Sequence, residues 1–188
     1  TILVGVLWFV AFVWLVIIVL TLHGLSRQRS LLATTNLRLK ASDVPLVSIL
    51  VPARNEQHRV LEDCIRSILA QDYGRFEVIA VNDRSTDATG AILETLAKSD
   101  ERLHVIEGKE PPPGWLSKPY AMQQALNHAR GEWILATDAD MLFESAALRT
   151  AVDHTLKAKC DALTLIPHFE TGSFWERVMI PTWEWVFL

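Results

Sequence analysis

What the chain is short of narrows its class before any motif is read. It has two cysteines, Cys64 and Cys160, at no spacing that forms a zinc or redox motif. That points to thiols in a reducing compartment and away from a disulfide scaffold. It has no excess of base. Lys and Arg number 18 against 22 Asp and Glu, with no basic tract or Arg-rich face, so no nucleic acid is expected as a partner. It has no G-x-G-x-x-G and no Walker A loop, so no glycine-rich turn is available to cradle phosphates. It also has no charged residue before Arg27.

That last absence defines the first segment. From Ile2 to Leu22 the chain is built of Ile, Leu, Val, Phe, Trp and Ala, broken only by Gly5 and Thr21. As a helix this run spans about 31 Å, against roughly 30 Å for a hydrocarbon core. A cleaved signal peptide fits poorly, because no basic residues precede the run and no small-x-small cleavage site follows it. Arg27, Arg29, Arg38 and Lys40 come next, against the single acid Asp43. The positive-inside rule places such a flank in the cytosol. Residues 1–22 are therefore expected to be a transmembrane anchor in the cytoplasmic membrane. Residues 23–45 read as a basic juxtamembrane connector lying against anionic lipid, and the catalytic part as cytoplasmic.

From Leu46 a strand–helix rhythm begins. Apolar strands are expected over 47–51, halting at Pro52, then over 76–81, 103–106, 133–137 and 162–166. Between them lie amphipathic helices. Val60, Leu61, Cys64, Ile65, Ile68 and Leu69 make one stripe. Residues 88–97 follow with Ile92, Leu93 and Leu96 inward. Residues 118–129 form a helix closed by Gly131, and 146–158 one with Leu148, Val152 and Leu156 in line. Strand starts recur every 27 to 30 residues, the length of a βα unit. The fold class is α/β: a mostly parallel, Rossmann-like sheet with helices on both faces. In such sheets ligands bind beyond the carboxyl ends of the strands.

Polar clusters stand at those ends. Pro52-Ala53-Arg54-Asn55-Glu56 follows the first strand, and Asn82-Asp83-Arg84-Ser85-Thr86-Asp87 the second. Lys118 opens a helix, and Asp138-Ala139-Asp140 follows the fourth strand. Any one of them also reads as turn or cap chemistry, Thr86 and Asp87 above all. In extended chain Asp138 and Asp140 leave on the same face, and a hard divalent ion, Mg²⁺ or Mn²⁺, suits such a carboxylate pair. The chemistry this implies is departure of a nucleoside diphosphate whose charge the ion neutralises.

The ordered set Val51-Pro52-Ala53-Arg54-Asn55-Glu56, Val81-Asn82-Asp83-Arg84-Ser85-Thr86-Asp87, Lys118-Pro119-Tyr120-Ala121 and Asp138-Ala139-Asp140 resembles family 2 glycosyltransferases of the GT-A fold, over about residues 46–166. The resemblance implies that Pro52, Arg54 and Glu56 contact the nucleotide and that Asp83 meets the base, usually uracil. It puts Lys118 near the diphosphate and Asp138 by the ribose and phosphate, with Asp140 as metal ligand beside it. The donor would be a nucleotide sugar, with 46–170 as the domain that binds it. Two departures are expected to shift base or sugar preference: Asn82 stands for a common Asp, and Arg84 for a common Gly. The family's catalytic base has no match here. Glu170, Glu176 and Glu184 are the acids left in the tail, and the chain is expected to be a fragment that stops before its base.

The tail, 171–188, holds three of the seven Trp beside Phe and Leu and is expected to be an interfacial helix. Together with the anchor it suggests a lipid acceptor. The Pro-Gly-Trp-Leu stretch before Lys118 and Phe-Trp-Glu-Arg in the tail look most like bacterial enzymes glycosylating isoprenoid or hopanoid-type lipids. Two other readings stand beside this one. A nucleotidyltransferase of the same fold would show a Gly-rich basic loop after the first strand, and a membrane-tethered, non-catalytic nucleotide-sugar-binding module would need no base.

Overall fold

The computed structural model describes residues 2–27, 44–58, 60–165, 167 and 172–176. The chain divides into two compact units, one made of Thr1–Ala33 with Ala162–Leu188 and the other of Thr34–Asp161.

The first unit opens with α1, Ile2–Arg27. The described side chains along it, residues 3–19, are all exposed, including Trp8 at 74% and Leu3 at 72%. A helix that is apolar on every side has no face to offer water. Over the described residues no helix is long and apolar enough to cross a membrane. Most of the expected connector (28–43) and of the interfacial helix (177–188) lies outside the described residues. Of that segment, residues 174–176 take a helical conformation. Ser173 and Glu176 form a capping box there: Ser173 N–H donates to Glu176 Oε2 at 2.8 Å, and Glu176 N–H to Ser173 Oγ at 3.2 Å. These bonds, with one from Gly172 N–H, hold the Glu176 carboxyl below its ordinary range. Glu176 is therefore occupied as a cap.

The second unit is a four-stranded parallel sheet ordered β3-β2-β1-β4. The strands are β1 (Val47–Ala53), β2 (Phe76–Asn82), β3 (Leu103–Glu107) and β4 (Trp133–Ala136). Four helices alternate with them: α2 (Leu61–Leu69), α3 (Thr89–Ala97), α4 (Ser117–Leu126) and α5 (Ala147–Ala158). Because side chains alternate across a strand, β1 sends Val47, Ile49 and Val51 into one core and Leu50 into another. The larger core joins them to Leu61, Cys64, Ile65 and Ile68 of α2, Leu93 and Leu96 of α3, and Leu148 and Val152 of α5. The smaller one packs Leu50, Ile79 and Val81 on Ala121 and Ala125 of α4. Helices thus cover both faces, as the apolar pattern requires.

Four features differ from expectation, each for a physical reason. First, β1 does not halt at Pro52 but runs to Ala53. Its pairing with β4 ends at Leu50, so Pro52 has a strand neighbour on the β2 side alone and its missing N–H leaves no gap on the β4 side. Second, α4 ends at Leu126, well before Gly131. Gly131 is needed for close approach, since a Cβ there would lie 2.5 Å from Ser48 N and 2.9 Å from Leu46 O. Third, β4 is only partly covered, with Ile134 42% exposed, because it is the sheet's edge. Fourth, residues 162–165 form no strand, and Ile166 lies outside the described residues. An apolar run makes a strand only where a neighbour supplies the ladder.

One buried polar knot ties the sheet to the α4–β4 connection. Glu77, 3% exposed, accepts from Ser48 Oγ at 2.7 Å, from Arg130 N–H at 2.7 Å and from Arg130 Nε at 2.8 Å. Burial pushes its carboxyl up, but the bonds from Ser48 and Arg130 outweigh burial and leave it below the ordinary carboxylate range. A depressed carboxyl contributes stability that is complete above its unfolded pKa, roughly 4.3, and lost as pH falls through the folded value. Glu77→Gln is expected to lower unfolding free energy at pH 7 by about 1–3 kcal/mol. The gap to wild type should close below about pH 4. Urea titrations at both pH values check it, and a gap independent of pH would contradict the linkage.

Candidate active site

The carboxyl ends of β1, β2 and β4 and the start of α4 converge on a pocket of about 310 Å³. All seven residues singled out from the sequence line it: Pro52, Arg54, Glu56, Asp83, Lys118, Asp138 and Asp140. A larger hollow of about 550 Å³ lies along β3, lined by Glu77, His104 and Arg130 among others. It carries none of the seven, and its charged groups are already engaged, Arg130 and His104 with Glu77 and Glu107 with Asn82.

The two loops after β1 and β2 are stitched to each other. Asn55 takes a left-handed φ of 56°, which Asn tolerates, and its Oδ1 accepts from Thr86 N–H at 2.9 Å. Asn55, Glu56 and Gln57 N–H donate to Ser85 Oγ, Thr89 Oγ1 and Asp87 Oδ2. Ser85, Thr86 and Asp87 are therefore loop braces, which fixes how Arg54 and Glu56 are presented. Burial pushes the Asp87 carboxyl up, but the bonds it accepts from Thr89 and from Gln57 N–H together outweigh that push and hold it below its ordinary range.

Asn82 is the first departure noted above, and the structure gives its reason. Its Nδ2 donates to both Glu107 oxygens at 3.0 Å. An Asp here would set two carboxylates against each other. Gly108 follows Glu107 closely enough that a Cβ would sit 3.0 Å from Asp83 Cα and 3.1 Å from Asn82 O. These contacts pin the backbone on which Asp83 stands.

The Asp83 side chain is 6% exposed. Its Oδ1 accepts from Arg84 Nε at 2.9 Å, and its Oδ2 lies 4.0 Å from Arg54 Nη1. Arg84 also donates from Nη1 to Glu110 at 2.5 Å and from Nη2 to Ser117 Oγ at 2.8 Å. Asp83 first, then Glu110, raises the Arg84 guanidinium above its usual range. Ser117 Oγ accepts from Arg54 Nη1 too, at 3.3 Å. Ser117 thus ties the start of α4 to the β1 and β2 loops and places Lys118. Sequence reasoning passed it over, although its position before Lys118 was the available signal.

The carboxylate pair is positioned differently from the extended-strand expectation. β4 ends at Ala136, and 139–140 form a turn. Ala139 is 5% exposed and belongs to the main core, while Asp138 and Asp140 on either side are exposed. Burying the central methyl turns both carboxylates to the pocket. From behind, Cys64 Sγ donates to Asp138 O at 3.7 Å. Burial pushes the Cys64 thiol up to about 11, with Asp140 and Asp138 adding to the push and a Met141 backbone bond opposing it. It stays a neutral thiol and a packing group, not a ligand.

Lys118 Nζ meets Asp138 Oδ1 at 2.6 Å, both side chains exposed. Among the described residues no group of three or more His, Cys, Asp or Glu is placed to hold a metal. Two exposed carboxylates fit an ion that draws its other ligands from phosphate and water, as Mg²⁺ and Mn²⁺ do. Asp138 and Asp140 would hold it.

Residues 48–187 match the family model described as Glycosyl transferase family 2. The chain is 36% identical over 118 residues to the uncharacterized glycosyltransferase EpsJ of Bacillus subtilis, covering 63% of this chain and 33% of that protein. It is 34% identical over 122 residues to the beta-monoglucosyldiacylglycerol synthase of a Nostoc species, covering 64% and 25%. Among solved structures, the mannosyltransferase PcManGT from Pyrobaculum calidifontis, in complex with GDP-Man and Mn²⁺, is 33% identical with a TM-score of 0.53, over 60% of this chain and 32% of that one. The chain thus spans about a third or less of the length of each of these proteins. The βα order, the pocket at the strand ends and this match over most of the chain agree: the chain belongs to glycosyltransferase family 2.

Proposed function

We propose that the protein transfers a sugar from a nucleoside diphosphate sugar to a lipid acceptor of isoprenoid or hopanoid type, with inversion, at the cytoplasmic face of a membrane to which α1 anchors it. The observation that carries this reading is the convergence of Arg54, Asp83, Lys118, Asp138 and Asp140 on one pocket. A diphosphate entering there takes Lys118 over from Asp138 and leaves that carboxylate to hold a divalent cation with Asp140. When bound, the cation supplies neutralisation of the charge that develops on the leaving diphosphate. The acceptor oxygen then bonds to the anomeric carbon as the bond to diphosphate breaks, and its proton passes to a carboxylate base. Glu176 is spent in its cap, and Glu170 and Glu184 lie outside the described residues.

The lipid acceptor has two supports. Trp115 and Leu116, 45% and 76% exposed, directly precede Ser117 and Lys118 and give the site an apolar approach. One relative is named a beta-monoglucosyldiacylglycerol synthase. The resemblance implies a UDP-sugar, while the PcManGT complex holds GDP-Man. The test is a panel of radiolabelled UDP- and GDP-sugars with Mn²⁺ or Mg²⁺ and a membrane lipid extract. Label passing into the organic phase is expected. Nucleotide-sugar synthesis from a sugar phosphate, with no label in lipid, would instead support the nucleotidyltransferase reading. Binding without turnover would support the tethered module.

A further inference from the structure

Lys118 and Asp138 meet in the pocket, Nζ to Oδ1 at 2.6 Å, and both line it together with Asp140. The backbone under each is fixed from elsewhere. Lys118 is the second residue of α4, behind Ser117, whose Oγ accepts from Arg54 at 3.3 Å and from Arg84 at 2.8 Å. Asp138 precedes the buried Ala139, and its carbonyl accepts from Cys64 Sγ. The contact between them is made by side chains alone. The lysine reaches it on a flexible four-carbon stem, so rotation of that stem is enough to break it.

The pair is also weak enough to exchange. Its side chains are 62% and 55% exposed, and water screens such pairs until little net attraction remains. Arg130 and Glu77 make the contrast. That carboxylate is 4% exposed and takes further bonds from Ser48 Oγ and Arg130 N–H, so its pair is structural. At Asp138 the ammonium covers one of the two carboxylate oxygens. A divalent ion that engages Asp138 beside Asp140 must displace Lys118 or sit next to a like charge. A diphosphate removes the conflict, because it gives the lysine another anion to follow.

We infer that Lys118 is a gate on the carboxylate pair. It holds Asp138 until a diphosphate draws it away, so that cation and nucleotide each bind more tightly in the presence of the other. This inference rests on the nucleotide-sugar reading above and deepens it, by naming the residue that links the two ligands. A lysine that only contacts the diphosphate would favour the nucleotide and leave the ion alone. A gate opposes the ion and favours the nucleotide, so one substitution shifts the two affinities in opposite directions. The coupling is reciprocal, since the same free energy is read from either ligand.

The test is Mn²⁺ binding to the full chain, followed by the paramagnetic resonance signal of free Mn²⁺, with no nucleotide and with saturating UDP or GDP. The proteins are wild type, Lys118→Met and Arg54→Gln. Methionine keeps most of the stem and removes the charge. Without nucleotide, Lys118→Met is expected to bind Mn²⁺ about three- to fivefold more tightly than wild type, the range that an exposed ion pair supplies. In EDTA the same variant should bind UDP or GDP about threefold or more weakly by calorimetry. The gain in nucleotide affinity on adding Mn²⁺ should shrink by the same factor as the gain in Mn²⁺ affinity on adding nucleotide, which keeps the test decisive where Mn²⁺ alone binds too weakly to titrate. Arg54→Gln removes a pocket cation whose contacts are with Asp83 and Ser117. Its Mn²⁺ affinity without nucleotide should stay within about twofold of wild type, which separates the ion pair from the net charge of the pocket. Melting temperatures should not change, because Lys118 and Arg54 are exposed at the surface. Undiminished coupling in Lys118→Met, or Mn²⁺ binding tightened equally by Arg54→Gln, overturns the inference and leaves the nucleotide site standing. A wild type that binds neither UDP nor GDP overturns both.

Discussion

Asp140→Ala is expected to weaken Mn²⁺-dependent nucleotide-sugar binding by about a hundredfold or more, while affinity measured in EDTA stays at the wild-type level. The magnitude follows from what the pair would hold. A cation held by Asp138 and Asp140 would contribute several kcal/mol to diphosphate binding, and among the described residues no group of three or more His, Cys, Asp or Glu is placed to hold one. Asp140 gives the cleaner test of the two. Asp138 is also the partner of Lys118, so its removal disturbs that lysine as well. Alanine at 140 leaves the buried Ala139 and the Cys64 bond to Asp138 O in place, and the turn should survive. Calorimetry with and without EDTA reads the result. Equal Mn²⁺-dependent affinity in wild type and variant would remove Asp140 from the metal site.

The second large effect is on the fold. Gly131→Ala should destabilise the protein by about 3 kcal/mol, the upper end for overpacking. The added methyl would lie 2.5 Å from Ser48 N, 2.6 Å from Ser48 Oγ and 2.9 Å from Leu46 O. Two of these three atoms are backbone and cannot swing aside. Relief requires moving β4 away from β1 at its first pairs, Val47↔Trp133 and Ser48↔Ile134. It would also stretch the bond from Gly131 N–H to Ser48 Oγ, 2.8 Å, and disturb Ser48 in the Glu77 knot. Because β4 leads into Asp138, metal-dependent binding should weaken alongside stability. Chemical denaturation measures the first and calorimetry the second. A change below about 0.5 kcal/mol would mean that the strands give way more easily than their pairing suggests.

These two residues show how differently the chain could be read. Asp140 was visible as chemistry, since paired acids at the end of a strand call for a cation. Gly131 was visible only as a glycine, and the local explanation, a helix cap, was the wrong one. Helix caps are decided within one turn of chain. A clash with Ser48, more than eighty residues earlier, is not encoded in any local pattern. Asn82 and Arg84 divide the same way. Both stood out as departures, but the partner that explains Asn82 is Glu107, on the neighbouring strand. The partners that explain Arg84 are Glu110 and Ser117, on the loop beyond β3 and at the start of α4.

Periodicity carried the α/β architecture, the four described strands and their helices, because burial imposes spacings of two and of 3.6 residues on the chain itself. Motif order carried all seven pocket residues, because a parallel sheet brings the carboxyl ends of its strands to one rim whatever the loops contain. What needed the folded molecule was everything set by contact across the sheet. The edge position of β4, the turn that aims Asp138 and Asp140 through a buried Ala139, and the hold that Glu110 and Ser117 keep on Arg84 all depend on neighbours distant in sequence. Asp-Ala-Asp offers a carboxylate pair in the sequence, but it is the core beneath Ala139 that turns both side chains to the pocket.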